Sequence, residues 1–185
     1  MENKERKIKK LHQKIQRCKK CPLGKTRHNT VPGEGSVKAK IMIIGQAPGR
    51  EEDKTGKPFV GRAGQFLNRL LKLAKIKREK IFITSPIKCF PPQNRKPTKK
   101  EIADCLPYLL EQIDIINPQK VILLGEVAFS IFFPDKNLKV FRGKFLTKNG
   151  RRYFITYHPA AGLRFPKIKK ILEKDFKKIN FILRM

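Results

Sequence analysis

Four short apolar runs, at residues 40–45, 81–84, 121–125 and 153–157, are separated by stretches whose apolar residues recur every three or four positions. This alternation leaves few folds open. A run such as Ile41-Met42-Ile43-Ile44-Gly45 or Val121-Ile122-Leu123-Leu124-Gly125 reads as a strand buried on both faces, the situation inside a parallel sheet. The intervening segments supply helices. Phe66, Leu67, Leu70, Leu71 and Ala74 share one helical face. Thr98, with Glu101 three residues on, forms a capping box that opens a helix running to about Ile116 and stopping before Pro118. Residues 126–133 and 168–181 give two more. Together these predict a three-layer α/β/α sandwich around a central, mostly parallel four-stranded sheet. With 185 residues, no internal repeat and no low-complexity linker, one domain is expected over 1–185. A basic amphipathic helix carrying Ile8, Leu11 and Ile15, and the cysteine knuckle after it, would pack on this domain as residues 1–38.

In such sheets ligands bind beyond the carboxyl ends of the strands. Gly45-Gln46-Ala47-Pro48-Gly49, Ser85 and Tyr157-His158-Pro159 all follow strand ends, so three loops are expected to converge on one crevice. The first loop has no Gly-x-Gly-x-x-Gly spacing and no Lys-Ser/Thr tail, so it is neither a dinucleotide fingerprint nor a P-loop.

Charge narrows the partner. Lys and Arg number 44 against 15 Asp and Glu, a formal net charge of +29. A compact chain this basic repels itself unless a polyanion neutralises it, and phosphate backbones do so with release of counterions. Nucleic acid is the expected partner class, and the same repulsion favours a monomer. No run of about 18 apolar residues offers a membrane span, and the charged first residues lead into no apolar signal core. A reducing cytoplasm is the expected location, where cysteines serve metals more often than disulfides.

The chain has four cysteines. Cys18 and Cys21 form a C-x₂-C knuckle, Cys89 follows the second apolar run, and Cys105 lies on the capped helix. Four thiolates satisfy either a tetrahedral zinc or a [4Fe–4S] cluster, and spacing alone does not choose.

Longer motifs are more specific. Gly45-Gln46-Ala47-Pro48-Gly49-Arg50-Glu51-Glu52-Asp53 is followed by Gly56-Lys57-Pro58-Phe59-Val60-Gly61-Arg62-Ala63-Gly64. With Cys21-Pro22-Leu23, Val31-Pro32-Gly33-Glu34-Gly35, Lys88-Cys89-Phe90-Pro91-Pro92-Gln93-Asn94-Arg95 and His158-Pro159-Ala160-Ala161-Gly162-Leu163-Arg164, this closely resembles the family-four uracil-DNA glycosylases. Those are thermostable, iron–sulfur-containing enzymes of bacteria and archaea, and the resemblance runs in order over about residues 8–180. It implies hydrolysis of the N-glycosidic bond of uracil, or of another deaminated base, in single- or double-stranded DNA near the prokaryotic nucleoid. It implies a structural [4Fe–4S] cluster on Cys18, Cys21, Cys89 and Cys105. Phe59 would stack on the extruded base, beside Ala47 and Ser85, and His158 would donate to the departing base at O2. Leu163 and Arg164 would enter the duplex and clamp it, with Arg62 and Arg95 as further DNA contacts.

Two positions depart from the family pattern. Gln46 stands where the family has glutamate, and a neutral amide cannot take a proton; Glu52 or Asp53, one turn downstream, is the candidate to replace it, with Glu52 the better of the two. Ser85 stands where the family has asparagine, and losing one good contact to a buried polar edge costs about 1–3 kcal/mol. These departures also motivate the alternative of a catalytically weak or inactive DNA-binding relative on the same fold. A zinc-bearing RNA-binding module would leave Phe59 and His158 without a role.

Overall fold

The computed structural model describes residues 3–183. Helix α1 (Lys4–Gln16) and the short α2 (Leu23–Thr26) precede a sheet whose strands are β1 (Glu34–Gly35), β2 (Ile41–Ile44), β3 (Phe82–Thr84), β4 (Lys120–Leu124), β5 (Phe145–Lys148) and β6 (Arg151–Thr156). Between and after them lie α3 (Arg50–Thr55), α4 (Arg62–Leu73), α5 (Lys99–Ile116), α6 (Glu126–Phe132), α7 (Leu138–Phe141), α8 (Pro159–Arg164) and α9 (Pro166–Leu183).

The strand order is β1-β3-β2-β4-β6-β5. The four inner strands are mutually parallel, with Ile43 level with Ile83 and Ile122, and Ile122 level with Phe154. The sheet therefore has six strands, not the four expected from sequence. Both additions are antiparallel edges: β1 pairs with β3, and β5 pairs with β6. The first is two residues long and has no apolar run to announce it. The second is joined to β6 through Asn149 and Gly150, at φ 49° and 72°, the left-handed pair that a tight hairpin requires. That Asn-Gly signal was present in the sequence.

Side chains alternate across the inner strands and feed two cores. Met42, Ile44, Val121, Leu123, Tyr153 and Ile155 pack under α5 and α6. Ile43, Ile122, Leu124 and Phe154 pack under α4 and α9, against Phe66, Leu70, Leu172 and Phe176. Because both faces are covered, the middles of the inner strands are apolar on both sides, which is why the runs lack a two-residue period. A third cluster joins Leu11 and Ile15 of α1 to Leu23, Ile87, Cys89, Cys105 and Tyr108. Through it the N-terminal helix is seated on α5.

Helix α5 starts as the sequence expected. The Thr98 side chain accepts from the Glu101 N–H at 3.1 Å, and the Glu101 carboxylate accepts from the Thr98 N–H at 2.8 Å. Helix α8 is seated on α4 and α9 so closely that a Cβ on Gly162 would lie 2.7 Å from Phe66 Cε1 and 2.8 Å from Leu172 Cδ1. Gly162→Ala therefore displaces the buried Phe66 and Leu172 side chains from their packing. Despite alanine's better helix propensity, the overpacking should lower stability by about 1–2 kcal/mol in urea unfolding. An unchanged midpoint would show that the seat is looser than these distances indicate.

Candidate active site

The carboxyl ends of the inner strands deliver three loops to one place. Gly45 leaves β2 and donates its N–H to Thr84 O at 2.9 Å, and Gly125 leaves β4 and donates to Thr156 O at 2.9 Å. Gly125 has φ 88°, and a Cβ there would lie 3.0 Å from the Cβ of His158. Only glycine fits that conformation without strain, so Gly125 sets aside the space that His158 occupies.

His158 N-caps α8, and its Nδ1 accepts from the Ala160 N–H at 3.2 Å. The ring proton must then sit on Nε2. Desolvation lowers the His158 pKa to about 4, so the ring is neutral near pH 7. Its free Nε2–H lies on the side of Gly45, and the ring stacks on Phe59 with centroids 5.6 Å apart. Phe59 and His158, 99 positions apart in sequence, thus come together at the mouth of the Gly45 turn.

Phe59 is held in an unfavourable backbone conformation, φ 53°, which a bulky residue adopts only when its surroundings compel it. Two contacts do so. Gly64 packs against the Phe59 carbonyl so tightly that an added Cβ would overlap the Phe59 backbone. Immediately after Phe59, the N–H groups of Val60 and Gly61 both donate to Glu52 Oε1 at 2.9 Å. The other oxygen of Glu52 accepts from the Gly49 N–H at 3.1 Å. Glu52 is therefore a staple between the first loop and the Phe59 turn, with both oxygens engaged. The Gln46 side chain is half-exposed and makes no hydrogen bond among the described residues. The neighbouring Asp53 is buried and holds the loop before β1, accepting from the His28 N–H and ring at 3.1 and 2.8 Å.

Ser85 is buried and donates its hydroxyl to Ile87 O at 2.6 Å. Behind it lies Lys88, a side chain 1% exposed. Its ammonium donates to Thr84 Oγ1 at 2.6 Å, Ser85 O at 2.7 Å and Gln112 Oε1 at 2.7 Å. Burial lowers its pKa to about 7, against the pull of the neighbouring Cys105.

Cys18, Cys21, Cys89 and Cys105 line one cavity, together with Arg27, Lys88 and Tyr108. Arg27 donates to Cys89 Sγ at 3.1 Å. Burial raises the Cys89 thiol, and it raises Cys105 to about 11, while Lys88 pulls Cys105 down. Thiolates here need positive charge beside them. Among the described residues, no three His, Cys, Asp or Glu side chains are already gathered into a ready-made single-ion site. Ala47 packs against the cysteine-bearing cluster, so the first loop touches both the site and the cysteines.

Of the expected DNA contacts, Leu163 is 39% exposed, and Arg164 lies on the same outer side of α8, opposite the buried Gly162. Phe165, which no sequence motif marks, is 55% exposed beside them. Arg62 is exposed at the start of α4. Arg95 makes two hydrogen bonds to the Glu101 carboxylate, at 2.9 and 2.6 Å. The Arg95 hydrogen bonds hold the Glu101 carboxyl down at about 2, so this guanidinium braces the start of α5. No described helix is long and apolar enough to cross a membrane.

The family model of the uracil DNA glycosylase superfamily matches residues 32–184. A type-4 uracil-DNA glycosylase of Saccharolobus solfataricus is 49% identical over 176 residues, covering 90% of this chain and 82% of that protein. A type-4 enzyme of Thermotoga maritima is 39% identical over 179 residues, covering 94% of this chain and 93% of its own. A type-5 uracil-DNA glycosylase of Pyrobaculum aerophilum is more distant, at 30% identity over 148 residues, covering 70% and 65%.

The geometry makes two predictions. In Glu52→Gln the new amide can no longer accept at both ends, so one backbone N–H loses its partner. Urea unfolding should report a loss of about 1–3 kcal/mol, and a wild-type midpoint would dismiss the staple. For His158, ring signals followed by NMR should titrate near pH 4, below the ordinary histidine value of 6.5. Because the folded pKa is depressed, the unfolded chain binds the proton first, and this residue's effect is to lower stability as pH falls below 6.5. A midpoint between 6 and 7 would contradict the desolvated, neutral ring, which is only half-buried.

Proposed function

The chain belongs to the uracil DNA glycosylase superfamily, in its type-4 branch, and we propose from that premise that it excises uracil from DNA by hydrolysing the N-glycosidic bond. The observation that carries the reading is the pairing of Phe59 with a neutral His158 whose free N–H faces the Gly45 turn.

A base must leave the duplex stack before this bond can be reached. The Phe59 ring offers it a new stacking partner, and fixing that ring in advance by Glu52 and Gly64 spares the cost of ordering it on binding. As the bond breaks, negative charge grows on the departing uracil. The Nε2–H of His158 stabilises that charge at O2 without giving up a proton. Gln46 can orient a water molecule through its amide but cannot deprotonate it, so leaving-group stabilisation carries most of the rate. The Ser85 hydroxyl already gives its proton to Ile87 O, which leaves it able only to accept. The N3–H of uracil is a donor and the bare N3 of cytosine is not, so an accepting hydroxyl separates the two bases. Leu163 and Phe165 supply apolar surface to fill the vacated position, and Arg164 supplies a phosphate contact.

We also propose that Cys18, Cys21, Cys89 and Cys105 hold a [4Fe–4S] cluster. Four thiols on one cavity whose wall carries Lys20, Arg27 and Lys88 against the single carboxylate of Asp104 suit an anionic iron–sulfur centre. Bound there, it would fasten α1, α2, α5 and the segment after β3 together, a structural task. The protein is expected to act as a monomer.

A second reading, DNA binding with little or no catalysis, is favoured by one fact: the first motif lacks a free carboxylate, since Gln46 is neutral and both oxygens of Glu52 are engaged. The deciding assay uses single- and double-stranded DNA bearing one uracil, alkali cleavage of abasic sites, and hypoxanthine substrates alongside. Uracil release should fall by about 10²–10³ in His158→Ala, the cost of one lost transition-state donor. Tight binding without release of either base would leave the noncatalytic reading standing.

A further inference from the structure

Lys88 is a buried cation with no acidic partner among the described residues. The residue is 1% exposed, and its ammonium is held by three neutral oxygens, from Thr84, Ser85 and Gln112. Burying an ammonium in this way costs several kcal/mol unless an opposite charge compensates it. Compensation is available on one side. Lys88 lines the cavity of the four cysteines, and its backbone N–H is hydrogen-bonded to Cys105.

On its other side the same ammonium organises the site. Gln112, fully buried, accepts from Lys88 and donates to Pro32 O at 2.7 Å. Thr84 Oγ1 lies 2.9 Å from Gln112 Oε1 and 3.1 Å from Pro32 O. Val31 N donates to Lys88 O at 2.7 Å, and Gly45 N donates to Thr84 O. The ammonium thus holds the end of β3, the Ser85 turn and Gln112 directly, while the loop before β1 joins them through Gln112, Thr84 and the Lys88 carbonyl, and the root of the first motif through the Thr84 carbonyl.

We propose that Lys88 is the counter-cation of the cysteine-bound centre and the positioning residue through which that centre holds the base-reading turn at Ser85. The inference rests on the cluster reading above. With the anionic centre in place, the ammonium is fixed and the hydrogen-bond set around residues 84–88 is rigid. With the centre gone, the cation is left buried among neutral partners and the turn loosens, while the sheet interior stays intact. The centre thus contributes to base selection without touching the base.

The test is hydrogen exchange on the iron-loaded wild-type protein and on the same protein after iron removal, with iron quantified in both. Amides of residues 84–88 and 31–33 should exchange at least tenfold faster without iron, while those of β4 and β6 keep their rates. In iron-loaded Lys88→Met, the same amides should already be fast, and the reduction potential of the centre should move negative through loss of a neighbouring cation. Lys88→Arg, which keeps the charge, should leave that potential close to wild type. Equal protection of 84–88 in loaded and iron-free wild type overturns the proposal, as does acceleration spread evenly over β4 and β6. If Lys88→Met fails to fold, the wild-type comparison decides alone. A wild-type protein that takes up no iron sinks the cluster reading at the metal analysis, before any exchange is measured.

Discussion

One carboxylate ties together the two loops that carry the candidate site. Glu52 accepts from Gly49 on the first loop and from Val60 and Gly61 on the second, so neither can move without the other. Its grip is what allows Phe59 to remain in a left-handed conformation that an aromatic residue otherwise avoids. From there the order extends to His158, which stacks on Phe59, and to Gly125, which makes room for His158. An acid in the first motif suggests proton chemistry, yet this one is engaged in positioning.

The same economy shows in the buried polar groups. Glu101 caps α5 and is braced by Arg95, Asp53 gathers the His28 loop, and Lys88 gathers the end of β3. Glu101 and Asp53 sit on helices and Lys88 just beyond β3, and each reaches backbone N–H or C=O groups that have no ladder to satisfy them. The remaining charge is of another kind. Fifteen acidic side chains cannot pair with 44 basic ones, so most of the cationic surface is left for phosphate.

The central sheet and its covering helices were legible because a strand buried on both faces must be apolar throughout, as residues 41–44 and 121–124 are. The capping box at Thr98 and Glu101 was legible because it is local. The edges were harder. Glu34–Gly35 is too short to carry a pattern, and Phe145–Lys148 is half polar, although Asn149-Gly150 marked its hairpin. The motif resemblance drew attention to Phe59 and His158. What the sequence did not disclose were roles that exist only between distant residues: Gly64 against Phe59, Gly125 against His158, and Lys88 between Ser85 and the cysteines. Glu52 could be noticed as an acid near the site, but not that three N–H groups already occupied it.

The two antiparallel edges have a consequence for a protein that works along a polyanion. Many copies attracted to one DNA molecule meet at high local concentration, side by side, and an open parallel sheet would offer each a long row of unpaired backbone groups. Here one flank ends in two residues carrying an exposed glutamate, and the other in a four-residue strand whose outer half is Thr147 and Lys148. Short, charged borders make poor templates for strand addition. Neither border of the six-stranded sheet therefore invites a second copy to extend it.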